Sequence, residues 1–235
     1  MKPFAFKDFV VHQQNSPLKV STDAILLGAT VTIAPQHKHV LDVGTGSGVI
    51  ALLLASRYTD ILLTAIDPHP GAIQDARQNF ELSKYSTRLS AKAAYLKELV
   101  GSSTFDVLVS NPPYFIDSLA TELTEGQQAK HFTSEQYFAL LADMKACLKP
   151  EGQIWLILPL PIAQQTISFF QAHGFFCTQQ HYFHANQVKR NKRWVLCFER
   201  QNKVPICQEF VLRNNDGSFH ADYRKLAGPF HDRKI

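Results

Sequence analysis

The segment Val40-Leu41-Asp42-Val43-Gly44-Thr45-Gly46-Ser47-Gly48-Val49-Ile50-Ala51-Leu52 restricts the possible folds more than any other part of the chain, because it reads as a buried strand, a glycine turn and a helix start in direct succession. Glycine reaches positive φ without a Cβ penalty and lets the backbone come close to a ligand, while the first turn of a helix leaves N–H groups unpaired. A nucleotide is the natural ligand for such a turn. A dinucleotide fingerprint requires Gly-x-Gly-x-x-Gly, yet Val49 holds the closing position and the glycines alternate as Gly44, Gly46 and Gly48, which argues against NAD. The next apolar run, Ile61 to Ile66, ends at Asp67, placed where a carboxylate can accept hydrogen bonds from ribose hydroxyls. An N-cap ahead of Pro68 is the competing role for Asp67.

Beyond this unit the chain alternates. Strands are expected at 39–43, 61–66, 88–92 and 105–110, with helices at 48–57 and 70–82 and a short one at 95–100. Helical spacing of Tyr137, Phe138, Leu140, Leu141, Met144 and Leu148 predicts a helix from Ser134 to Leu148, stopped by Pro150-Glu151-Gly152 before a strand at 153–158 and a helix at 161–173. Alternation of this kind implies an α/β fold with a mostly parallel sheet and crossover helices. Phe175 to Tyr182 and Arg193 to Phe198 read instead as two strands able to pair antiparallel. No linker, repeat or low-complexity tract divides the 235 residues, so one domain is expected, with 1–38 as a packed amino-terminal extension of a core at 39–235.

Directly after the apolar run Phe105 to Ser110 stands Asn111-Pro112-Pro113-Tyr114. A planar amine or amide nitrogen is a poor nucleophile because its lone pair is delocalised. Two acceptors gripping its hydrogens, the Asn111 side-chain oxygen and the Pro112 carbonyl, favour pyramidalisation and aim the lone pair at an incoming methyl. Proline has no N–H and a fixed φ, so the corner is stiff. Tyr114 would stack on a flat substrate, which is worth about 1–3 kcal/mol per base in nucleic-acid complexes. A plain strand followed by a proline turn is the competing reading.

Asp42-x-Gly-x-Gly-x-Gly, Asp67 and Asn111-Pro-Pro-Tyr114, in this order and spacing, resemble the S-adenosylmethionine-dependent amino-group methyltransferases. Phe4-Ala5-Phe6-Lys7-Asp8-Phe9, Val11-His12-Gln13 and Leu18-Lys19-Val20-Ser21-Thr22-Asp23-Ala24-Ile25-Leu26-Leu27-Gly28 narrow the resemblance to the bacterial tRNA(Val) adenine-37 N6-methyltransferase family over nearly the whole chain. The resemblance implies a Rossmann-like class I methyltransferase: a seven-stranded, mostly parallel sheet with helices on both faces and an antiparallel edge strand. It implies S-adenosylmethionine as cofactor and an anticodon-loop adenine as acceptor. Gly44, Gly46 and Gly48 would then pass beside the methionine half of the cofactor, Asp67 would hold the ribose, and Asp42 would hold the amino-acid part through water or a backbone amide. Asn111 and Pro112 orient the amine, and Pro113, Tyr114 and Phe115 line its ring. Thr22, with Asp23, would touch the cofactor if Lys19 to Gly28 folds over it; a helix capped by Ser21 or Thr22 is the alternative. Many relatives carry an acidic residue after the third strand to read the cofactor's adenine amine, where this chain has Ala91-Lys92-Ala93-Ala94-Tyr95, so the resemblance leaves adenine contacts there to backbone or to Tyr95.

Net charge is +4, a modest bias whose distribution says more than its size. Lys189, Arg190, Lys192 and Arg193 form a basic cluster flanked by Phe183, His184 and Trp194, suited to tRNA phosphates or to an ordinary solvated loop; Arg224, Lys225, Arg233 and Lys234 form another. His12 and His131 are candidate phosphate contacts, with surface or core histidines as the alternative. Cys147, Cys177, Cys197 and Cys207 lack metal-ligand spacing and read as buried free thiols. No metal, no membrane span, a cytoplasmic location and a monomer are expected. Protein glutamine-N5 methylation, methylation of other nucleic-acid amines, and a non-catalytic RNA-binding role are the competing functions.

Overall fold

The computed structural model describes residues 2–101, 104–113, 133–189 and 193–233. The chain opens with a short hairpin of β1 (Phe4–Ala5) and β2 (Val10–Val11), followed by helix α1 (Thr22–Thr30). Then come β3 (His39–Val43), α2 (Val49–Arg57), β4 (Leu62–Asp67), α3 (Pro70–Glu81), β5 (Leu89–Ala93) and β6 (Phe105–Ser110). The second half holds α4 (Ser134–Cys147), β7 (Leu148–Leu158), α5 (Leu160–Ala172), β8 (Phe176–His184), β9 (Arg193–Glu199), β10 (Ile206–Val211) and α6 (Ala221–Ala227). Among the described residues, ten strands thus make the small hairpin and one eight-stranded sheet in the order β10-β8-β9-β7-β6-β3-β4-β5. Strands β5, β4, β3, β6 and β7 run parallel, and β9 is antiparallel to both of its neighbours.

Period-two side-chain alternation sorts the core. Val40, Val107, Val109, Trp155, Ile157, Val195 and Cys197 join α1, α2 and α3 in one cluster, while Leu41, Leu108, Ile154, Leu156, Leu158, Leu196 and Phe198 join α4 and α5 in another. Each fully buried Leu or Phe in these layers contributes about 1.5–3 kcal/mol. Helix α2 is buried from Val49 to Ala55 because it lies between the sheet and α1, which explains an apolar sequence with no polar face.

Two features depart from expectation. The sheet gains an eighth strand, β10, paired parallel to β8 (Cys207↔Gln180) at the sheet edge, and antiparallel β9, expected at the edge, is internal because it lies between β8 and β7. Strand β10 carries the polar sequence Ile206-Cys207-Gln208-Glu209-Phe210-Val211, exposed over its first four residues, and lacks the apolar run by which the other strands announce themselves. The same exposure leaves Cys207 in solvent, whereas Cys147, Cys177 and Cys197 are buried free thiols. Second, β7 starts at Leu148, directly after α4: the register steps from Phe105↔Leu148 to Val107↔Gln153, and Pro150-Glu151-Gly152 forms a bulge where a break was expected.

The amino-terminal residues pack into the main core. Phe6, Phe9 and Val11 are buried, Phe6 stacks on Phe9 at 4.7 Å, and Lys7 N donates to Phe230 O at 2.8 Å. At the opposite end of the sheet from the glycine turn, Asp106 accepts from the backbone N–H of Lys38 (2.9 Å) and His39 (2.8 Å) and from Lys149 Nζ (2.8 Å), tying β3 to β6 and β7.

Burial acts to raise the Asp106 carboxyl, but Lys149 and the two amides outweigh it and hold the group below its ordinary 3.8. Its contribution is therefore present at neutral pH and lost as pH falls through the lowered folded-state value. Asp106→Asn is expected to cost about 1–2 kcal/mol in urea unfolding at neutral pH. The gap from wild type should close in acid; a gap unchanged at pH 3 contradicts the charge-dependent role.

Candidate active site

Strands β3 and β6 are neighbours in the sheet, with Val43 opposite Ser110, although the chain makes two further parallel strands between them. Winding reverses here, and in open parallel sheets ligands settle at the carboxyl ends of strands at such a point. The Ser110 hydroxyl donates to Val43 O at 2.7 Å and pins the two strand ends together. The glycine turn leaves one end and Asn111-Pro112 leaves the other.

In the turn, Gly44, Gly46 and Gly48 take φ of +72°, +56° and +84°, a conformation that side chains rarely tolerate. Gly48 has a second constraint, since a Cβ there would sit 2.6 Å from Phe80 Cε1. Two amides of the turn, Gly44 N and Thr45 N, donate to Ile66 O at 2.9 and 3.0 Å. Asp67 Oδ2 accepts from Gly46 N at 3.0 Å while its Oδ1 accepts from His69 N at 2.8 Å. The N-cap of α3 is His69, so Asp67 braces the turn instead of capping the helix.

Asp42 is fully buried beneath the turn, outside the cavity wall, and its Oδ2 accepts from the Thr45 hydroxyl at 2.6 Å. Its Oδ1 has no hydrogen-bond partner. Burial pushes this carboxyl from 3.8 up to about 7, against the Thr45 hydroxyl and the Ala51 amide, which favour the charge. The Asp42 carboxyl thus contacts the turn from below and is not part of the cavity lining.

A cavity of about 270 Å³ opens between the two strand ends, lined by Gly44 to Ser47 of the turn, Asn111 and Pro112 of the corner, and Leu18, Lys19, Ser21 and Asp23 before and at the start of α1. The segment leading into α1 thus borders the same space. Ser21 is the N-cap, its hydroxyl accepting from Ala24 N at 3.2 Å. Thr22, expected at the cofactor, is the exposed first residue of the helix, and the cavity wall there is made by Ser21 and Asp23. Pro113 is exposed beside buried Pro112. Tyr114, Phe115, His131, Arg190, Lys192 and Lys234 lie outside the described residues.

Lys189 is exposed on the loop between β8 and β9. Arg193 is placed differently from a free phosphate contact: its Nε donates to Asp23 Oδ2 at 2.7 Å, joining the start of β9 to the cavity wall. Tyr95, after β5, is 58% exposed, and Ala94 N donates to Asp67 O at 3.3 Å, so the third strand end reaches the Asp67 corner. The backbone of His12 is held by Asn79. Sequence reasoning missed Asp75 and Asn79 of α3, both buried against the segment 12–16; their four-residue spacing on one helix face was the available signal. A larger cavity of about 910 Å³, bordered by Arg57, Phe210 and Lys225, contains neither the turn nor the corner. Among the described residues no helix is long and apolar enough to cross a membrane, and no group of three or more His, Cys, Asp or Glu could hold a metal ion.

The Asp42 carboxyl holds its proton more tightly folded than unfolded. Its contribution to stability is complete below the unfolded value of 3.8 and is lost as pH rises through about 7. Asp42→Asn keeps an acceptor for the Thr45 hydroxyl but cannot ionise. The melting temperature of the variant, measured by calorimetry, should gain on wild type between pH 4 and pH 7; parallel curves would assign the pH dependence to other groups.

Comparison with known proteins agrees with this geometry. Residues 19–185 match the model of the methyltransferase small domain family. A tRNA1(Val) (adenine(37)-N6)-methyltransferase of Actinobacillus pleuropneumoniae is 33% identical over 97% of this chain and 96% of its own length. The protein of the same name from Vibrio campbellii is 32% identical over 98% and 95%. Among solved structures, a protein from Agrobacterium tumefaciens described as a predicted O-methyltransferase superposes with a TM-score of 0.69 at 16% identity, covering 88% of this chain and 96% of that one, a likeness of fold alone. With the glycine turn, the Asn111 corner and near full-length similarity in agreement, the chain belongs to the tRNA1(Val) (adenine(37)-N6)-methyltransferase family.

Proposed function

We propose that this protein transfers a methyl group from S-adenosylmethionine to N6 of adenine 37 in a valine tRNA. One observation carries the reading: the glycine turn after β3 and the Asn111-Pro112 corner after β6 face a single cavity, although 62 residues of sequence lie between Asp42–Gly48 and Asn111. The turn suits the cofactor. A Cβ built on Gly44 meets nothing within 4 Å and one on Gly46 meets only Ser16 Oγ at 3.7 Å, so the turn presents bare backbone to the cavity. Asp67 uses one lone pair on each oxygen for the turn and for His69, leaving further acceptor capacity for ribose hydroxyls. When bound, S-adenosylmethionine supplies a methyl already activated by its sulfonium.

The protein's task is positioning. Asn111 Oδ1 and the Pro112 carbonyl accept the two N6 hydrogens and make the lone pair available, and the displaced proton leaves to water. Pro113, Tyr114 and Phe115 are assigned to the adenine ring. Lys189, Arg190 and Lys192 are assigned to tRNA phosphates. Arg193 is better described as the link between this basic loop and Asp23 at the cavity. The target adenine stands in a loop, so splaying it out costs at most a few kcal/mol.

Incubation with labelled S-adenosylmethionine and total RNA from a strain lacking the protein should yield N6-methyladenosine in one valine tRNA; label in protein instead would move glutamine methylation to first place. Asn111→Ala should lower kcat by about 100-fold or more, a few kcal/mol of transition-state positioning, while cofactor affinity measured by calorimetry changes little. Retained turnover overturns its role. Lys189→Ala should weaken tRNA binding and shallow its salt dependence by about one counterion, with cofactor affinity unchanged; an unaltered salt slope removes Lys189 from the phosphate contacts.

A further inference from the structure

Helix α3 carries two buried polar side chains, Asp75 and Asn79, outside the lining of the glycine cavity. Asp75 is fully buried and Asn79 is 1% exposed. They stand four residues apart, hence one above the other on a single helix face. Asp75 Oδ2 accepts from Asn15 N at 2.9 Å and from Ser16 N at 2.6 Å, and Oδ1 accepts from Asn15 Nδ2 at 2.9 Å. Asn79 Oδ1 accepts from His12 N at 2.7 Å, while its Nδ2 donates both to His12 O at 2.7 Å and to Ser47 O at 2.8 Å. One amide group therefore grips the amino-terminal strap and the glycine turn together.

The strap is stiffened between this grip and the cavity. Val20 N donates to Gln13 Oε1 at 2.7 Å, Lys19 Nζ donates to Gln13 O at 2.7 Å and Ser16 O at 2.8 Å, and the Ser16 hydroxyl donates to Leu18 O at 2.8 Å. These bonds close residues 13–20 into a bend whose far side, Leu18 and Lys19, forms the cavity wall facing Gly44 to Ser47. The clearance below is fixed as well: a Cβ on Gly71, at the start of α3, would lie 2.5 Å from Asn15 O.

We propose that Asp75 and Asn79 are positioning residues that set the width of the cofactor cavity by clamping the strap 12–19 to α3 at a fixed distance from the glycine turn. The inference rests on the assignment of that cavity to S-adenosylmethionine. It assigns the clamp to cofactor affinity and not to acceptor activation, because the hydrogen bonds of Asp75 and Asn79 run to His12, Asn15 and Ser16 of the strap and to Ser47 of the turn.

Gly71→Ala tests it from outside the core. Alanine favours a helix over glycine, so the variant gains helix propensity while its methyl pushes on the Asn15 carbonyl. Asn79→Asp tests it from inside: it keeps the acceptor for His12 N and loses both donations. Calorimetric titration with S-adenosylmethionine and steady-state kinetics should show dissociation constant and cofactor KM raised about tenfold or more in each variant. At saturating cofactor, kcat and tRNA KM should stay within about twofold of wild type, a split that general loss of folded protein cannot produce. Should Asn79→Asp fail to fold, Gly71→Ala decides alone. Wild-type binding with unchanged cofactor affinity in Gly71→Ala overturns the clamp while leaving the cavity assignment standing. A wild-type protein that does not bind S-adenosylmethionine, with its cavity walls intact, overturns both.

Discussion

The parallel pairing of β3 with β6 is the constraint from which the site follows. It sets Val43 opposite Ser110, and the Ser110 hydroxyl fastens the two strand ends through Val43 O. Everything chemical begins one residue later on each strand. A slip of one residue would turn Val107 and Val109 from one core to the other and carry Asn111 with them, so the hydrophobic layers on both faces hold the register against such a shift.

On this frame the acidic residues serve the backbone before they serve any ligand. Asp67 spans Gly46 and His69, Asp42 holds Thr45 from below, and Asp75 gathers the amides of Asn15 and Ser16. Each carboxylate satisfies N–H or O–H groups in segments that have no ladder of their own, where an unpaired buried donor would be costly. The glycine turn is therefore a rigid object, bonded to β4 through Ile66 and to α3 through Asn79, and a ligand would meet it already formed. Such preorganisation suits a reaction in which position does most of the catalytic work.

The strong periodic patterns were legible. The apolar run Phe105–Ser110 and the continuous apolar character of Val49–Ala55 lead to the right elements, and the spacing from Asp42 to Asn111 leads to the right family. Strand β10 was not legible because an edge strand with exposed residues needs no apolar face, and its identity comes from the β8 ladder it joins. The pairing of Arg193 with Asp23 was equally hidden, since charge clustering along the chain says nothing about a carboxylate 170 positions away.

By itself the sequence determined most of the core strands and helices from His39 to Glu199, that a glycine turn follows the first core strand, and that a stiff amide-proline corner follows the fourth. These are local consequences of side-chain size, branching and backbone freedom. Only the tertiary structure decided that Asp75 and Asn79 are buried beneath an amino-terminal strap, that Thr22 faces solvent while Ser21 and Asp23 line the cavity, and that Asp42 lies under the turn. Those outcomes depend on which distant backbone groups come within hydrogen-bonding reach, and such proximity exists only once the sheet has brought the strand ends together.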